Sequence, residues 1–73
     1  MAGKKVTIEY YGDPLLARLI GAVDVPAARR NEAAQRIGKA ICCAVGLKTL
    51  DAVLIGEDGE KIDQIVVNRQ GAR

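Results

Sequence analysis

Hydrophobic and polar positions alternate strictly at the start of this chain. From Lys5 to Tyr11, Val6, Ile8 and Tyr10 fall on one side while Lys5, Thr7, Glu9 and Tyr11 fall on the other. A period of two with one polar side predicts a half-buried strand, which Gly12 ends. The pattern then changes. Asp13-Pro14 pairs a capping carboxylate with a proline suited to the first helical position, and Leu15, Leu16, Leu19, Ile20 and Val23 follow at helical spacing. This predicts a short first helix, apolar around most of its circumference, with Arg18 its only charge.

The connector Val23-Asp24-Val25-Pro26 leads into the longest helical segment, Pro26 to Leu47. Steps of about 100° per residue place Ala33, Ala34, Ile37, Ala40, Ile41, Ala44 and Val45 on its apolar face, and Arg29, Glu32, Arg36 and Lys39 opposite. Gly46 supplies a left-handed stop. Further on, Leu50 to Gly56 and Lys61 to Arg69 read as two strands joined at Asp58-Gly59, a strong hairpin signal. A two-residue loop would oppose Glu57 to Glu60. A three-residue loop with a bulge would oppose Glu57 to Lys61 and is favoured by charge.

The expected fold is therefore a small single α+β domain over residues 1–73, with an ordered core from about 4 to 69 and frayed residues at 70–73. Its order is β-α-α-β-β, a three-stranded antiparallel sheet packed against two helices.

Three features of the central helix depart from a simple amphipathic pattern. Ala34, Gly38, Cys42 and Gly46 form a stripe of small residues at four-residue spacing. A mid-helix glycine costs roughly 1 kcal/mol against alanine, so Gly38 needs a compensating contact. That contact is either another element of the same chain or a homodimer seam through Ala34, Gly38 and Cys42. Arg29 and Arg30 stand near the positive end of the helix, where cations are disfavoured, unless Asp24 neutralises one of them or the helix begins at Asn31. Cys42 and Cys43 are adjacent, so only one can share the small-residue stripe. Two cysteines make no zinc site, which takes about four ligands.

Composition narrows the functional classes. The chain contains no His, Ser, Phe or Trp. General acid–base catalysis most often uses histidine, a serine nucleophile is excluded, and no glycine-rich phosphate fingerprint is present. An enzyme is not expected, nor a metal or other cofactor. The formal net charge is only +2, but its distribution is polar: Arg29 to Lys48 is basic and Asp51 to Asp63 acidic. No signal-peptide hydrophobic region or membrane-spanning run is visible, so a cytoplasmic protein is expected.

The function expected from these features is a small non-enzymatic protein-binding module. It would act as a regulator or inhibitor by docking on another protein, in the manner of small proteins that phages and mobile elements encode. Its contact residues would be Leu15, Arg18, Leu19, Arg29 and Arg30. The alternative is a winged-helix-like DNA-binding regulator, with Arg29, Arg30, Arg36 and Lys39 of the second helix on phosphates or base edges. The acidic hairpin tip Glu57-Asp58-Gly59-Glu60 counts against it.

Overall fold

The computed structural model describes residues 4–13 and 15–69. Strands β1 (Lys5–Tyr11) and β2 (Leu19–Pro26) form a hairpin. A 3-10 turn at Ala27–Arg29 leads into helix α1 (Arg30–Val45), and strands β3 (Thr49–Ile55) and β4 (Lys61–Asn68) form a second hairpin. The four strands make one antiparallel sheet in the order β2-β1-β3-β4. The helix packs on one face, chiefly over β4 and β3.

The α+β class stands, with four strands and one helix in place of three and two. The segment expected as a first helix is a loop followed by β2. Helix formation there would have to accommodate Gly21 within an element too short to be stable alone. The β-branched Val23 and Val25 instead pair with Ile8 and Val6 and extend the apolar face of β1. Asp13 still acts as a cap, of a different element: its carboxylate accepts the backbone N–H groups of Ala17 and Arg18 at 3.2 and 3.0 Å, closing the β1–β2 loop. Pro14 and residues 70–73 lie outside the described residues, as do the expectations made for them.

Val6, Ile8, Tyr10, Leu50, Leu54 and Val67 supply the bulk of the core from the sheet. The helix supplies small residues, with Ala34, Gly38 and Cys42 buried along its inner face. This division lets α1 sit close to the sheet: a Cβ on Gly38 would lie 2.7 and 2.8 Å from the two methyl carbons of Val67. The stripe suggested as a dimer seam is thus spent on the chain's own sheet. The helix is rotated accordingly. Ile37 and Ile41 are only half-buried, while Ala40, Ala44 and Val45 of the expected apolar face are exposed. Gly46 ends the helix as expected, at φ +76° with its N–H donating to the Cys42 carbonyl at 2.9 Å.

The other face of the sheet is largely polar, although Val53 and Asp51 on it are buried. Its side chains pair with one another: Thr7 donates to Asp24 at 2.7 Å, Tyr11 to Glu9 at 2.7 Å, and Gln64 to Asp51 at 3.1 Å. Antiparallel sheets commonly pack one face and solvate the other. In the β3–β4 hairpin, the N–H of Gly56 donates to the Glu60 carbonyl at 2.8 Å, and Gly59 takes φ +85°. The loop therefore has three residues, as favoured from the sequence, but Lys61 opposes Ile55 and not Glu57. The Glu57 carboxylate instead accepts the Lys5 backbone N–H at 3.2 Å.

Candidate functional site

The rotation of α1 leaves β2 partly uncovered on the helix side of the sheet. The result is a trough of about 410 Å³ between helix and strand, with Ile37, Ile41, Ala44 and Val45 on one wall and Ile20, Gly21, Ala22 and Val23 on the other. Tyr10 also lines it. A second hollow of about 200 Å³, formed by Gly12, Arg18, Ile20, Val45 and Leu47, shares Ile20 and Val45 with the first. Together they make one continuous apolar surface running from the middle of α1 to the β1–β2 loop. Among the described residues, Arg18 is the one charged residue lining either hollow.

The loop beside that surface is unusual in two ways. Leu15 is 85% exposed, and Leu16 adopts φ +60°, a left-handed conformation that costs an L-residue with a Cβ roughly 1–2 kcal/mol. The Asp13 carboxylate helps hold the turn, together with backbone hydrogen bonds from Leu16 to Asp13 and from Gly12 to Arg18. Asp13→Ala should lower stability by about 1 kcal/mol and speed amide exchange at Ala17 and Arg18. Unchanged exchange there would show that the backbone bonds alone hold the loop.

Of the residues expected to contact a partner, Leu15, Arg18 and Leu19 do come together at this loop and the first residue of β2, with Leu19 56% exposed. They form a hairpin end and not a helix face. Arg29 and Arg30 stand beyond the far end of β2, whose eight residues span about 26 Å at 3.3 Å each. The five residues are therefore two clusters and not one site. Arg29 is exposed at the helix entry, and the half-buried Arg30 donates through Nη1 to the Ala27 carbonyl at 2.8 Å. The helix does not begin at Asn31, since its first residue is Arg30, and the Asp24 carboxylate accepts from Thr7.

The arginine end carries a larger hollow, about 620 Å³, whose wall mixes Lys4, Lys5, Arg30 and Lys61 with Glu57, Asp58 and Glu60. Charges of both signs, all but Arg30 on exposed side chains, describe a solvated rim and select no one ligand. Of the basic residues assigned to a DNA reader, Arg30, Arg36 and Lys39 lie on α1 and Arg29 in the 3-10 turn before it, with Arg36 exposed and Lys39 half-buried. The helix pair that would present them in a winged helix is not formed, because its first member is loop and strand.

Sequence reasoning missed Ile37, Ile41 and Ala44 as candidate surface. Their helical spacing was legible, but it was assigned to the core. The signal that could have redirected it was the small-residue stripe beside them, since one helix cannot present both faces to a single sheet.

Cys42 is buried and Cys43 exposed, and neither is in a disulfide. Burial, followed by the neighbouring Cys43, pushes the Cys42 thiol up from its ordinary range, against a smaller opposing effect of Arg69. Among the described residues no three Cys, Asp or Glu side chains gather as a metal site would require, and no helix is long and apolar enough to cross a membrane. No protein-family model, curated protein or solved structure matches the chain.

Proposed function

We propose that this protein is a small, non-enzymatic, cytoplasmic docking module that regulates or inhibits another protein by binding it along the trough between α1 and β2. The observation that carries this reading is the continuous apolar lining of that trough, left open by a helix whose own packing demands are met elsewhere. Exposed apolar surface that is contiguous, concave and rimmed by polar residues is characteristic of interaction sites.

The partner is an apolar segment. It bears a carboxylate at the end nearest Arg18, the only charge among the described lining residues. The exposed Leu15 and Leu19 extend the contact beyond the trough at that end.

The reading is tested by selecting binding peptides from an unbiased displayed library and mapping the best of them by methyl and amide NMR. The expected result is an apolar peptide with an acidic residue to one side, perturbing Ile20, Val23, Ile37 and Ile41. Ala44→Asp places a charge on the trough wall at an exposed position. It should weaken binding by about 2 kcal/mol, some thirtyfold, with the fold intact. Peptides that perturb another surface, or that bind Ala44→Asp undiminished, would overturn the assignment.

A further inference from the structure

Helix α1 sits chiefly over β4 and β3, and β2 is the strand it leaves partly uncovered. In the order β2-β1-β3-β4, β2 stands two strand spacings from β3, about 10 Å to the side. Packed helices run about 8–10 Å apart. A second helix laid over β2 would therefore meet the flank of α1 at an ordinary packing distance. Its contact surfaces would be the two walls of the trough, Ile37 and Ile41 on α1 and Ile20 and Val23 on β2.

The strand wall leaves room for such an approach. Gly21 pairs with Tyr10 and so shares its helix-side face, and a Cβ built on Gly21 meets nothing within 4 Å. Its φ is not positive, so the backbone conformation does not call for glycine. A glycine inside a strand often marks the close approach of another backbone.

The lining decides against an extended occupant. Among the described residues its polar side-chain groups are the Arg18 guanidinium and the Tyr10 hydroxyl, and the hydroxyl is spent on the Ala34 carbonyl at 2.9 Å. An extended segment seated between α1 and β2 would bury backbone N–H and C=O groups against apolar side chains, where unpaired groups are costly. A helix satisfies those groups within itself.

Charge then sets the direction. The C-terminal end of α1, which carries the negative pole of the helix, lies at the Arg18 end of the trough, where Val45 and Leu47 line the second hollow. A partner helix that begins at this end brings its positive pole beside that negative one. An acidic residue in its first turn then suits both its own N-terminus and Arg18.

We propose that the segment docked in the trough is an amphipathic α-helix, antiparallel to α1. It carries an acidic first turn beside Arg18 and an apolar stripe at i, i+3, i+4 and i+7. This rests on the docking reading and adds the partner's conformation and direction to it. The α1 wall from Ile37 to Val45 is about 12 Å long, so a helix of about three turns covers it.

The test uses two displayed libraries of equal composition, with peptides of about 14 residues, long enough to sustain a helix on binding. One spaces its apolar residues for a helix and places a single aspartate in the first or last turn. The other alternates them for a strand. Counter-selection on Ala44→Asp keeps only binders of the trough, and circular dichroism confirms that each protein variant is folded. The helical library should yield the trough binders, and their backbone carbon shifts should become helical when bound. Moving the aspartate from the first turn to the last should weaken the best of them about fivefold. Arg18→Gln should weaken the first-turn peptide and leave the last-turn peptide unchanged. Trough binders drawn from the alternating library, or bound without helical shifts, overturn the inference while the docking reading stands. So does a last-turn peptide that binds as tightly as the first-turn one, or a first-turn peptide indifferent to Arg18→Gln. If neither library yields a binder that Ala44→Asp rejects, the docking reading fails and the inference falls with it.

Discussion

Gly38→Leu is expected to unfold this protein at every concentration. The position faces Val67 so closely that a single added carbon would sit 2.7 Å from one valine methyl, inside the distance that packed carbons tolerate. Val67 has no room to yield, being fully buried and branched at the same carbon that lies 3.0 Å away. Overpacking a tight contact costs about 1–3 kcal/mol for modest additions. The leucine side chain is far larger, while a domain of this size holds only about 4–11 kcal/mol of net stability. Gly38→Ala is the graded version. Its steric penalty is offset by roughly 1 kcal/mol of helix propensity, so a net loss of about 0–2 kcal/mol is expected. Val67→Ala should cost less in the Gly38→Ala background than in wild type, giving a coupling of the sign expected for residues in contact. Urea titrations of the four variants measure it. A Gly38→Leu chain that remains folded and merely becomes monomeric would restore the intermolecular seam and refute the helix placement.

The same glycine shows how far the sequence could be read. The stripe at Ala34, Gly38 and Cys42 announced a close approach but not its partner, because small residues at four-residue spacing suit a helix, a sheet or another copy equally well. Strand β1 was legible because a half-buried strand alternates, and β3 and β4 because a glycine-containing turn separates two apolar runs. The segment after Gly12 was misread because Leu15, Leu16, Leu19, Ile20 and Val23 meet a helical template by coincidence. Its own alternation, Val23 and Val25 about Asp24, is short and becomes decisive only when β1 is there to pair with it.

Leu15, Arg18 and Leu19 were marked as contacts because they fell on a short helix apolar around most of its circumference; they stand instead at a hairpin end, where Leu15 and Leu19 are exposed. Their separation from Arg29 and Arg30 depends on β2 being extended. Eight residues of strand cover about 26 Å, where the same number in a helix would cover about 12 Å.

Alkaline pH should destabilise the protein through Tyr10. Its ring is fully buried and its hydroxyl donates to the Ala34 carbonyl at 2.9 Å, tying β1 to the inner face of α1. Burial pushes its pKa from 10.0 up to about 12. The folded state thus keeps the phenol proton where the unfolded chain has released it. The associated stability is complete below pH 10 and is lost as pH rises towards 12, at most about 2–3 kcal/mol. Cys42 acts in the same direction from lower pH, since burial also raises its thiol above the ordinary value of 9.0. Tyr11 is raised as well, first by its hydrogen bond to Glu9. It lies on the largely polar face, where ionisation does not require opening the core. Tyr10→Phe separates these contributions. It should lower stability at neutral pH by about 1 kcal/mol for the lost hydrogen bond. Its stability should then fall less steeply than that of wild type between pH 10 and 12, and absorbance at 295 nm should show wild-type Tyr10 ionising only as the fold opens. Parallel alkaline slopes in the two proteins would mean that Tyr10 reaches solvent in the native state, and that α1 does not seal the sheet beneath Ala34.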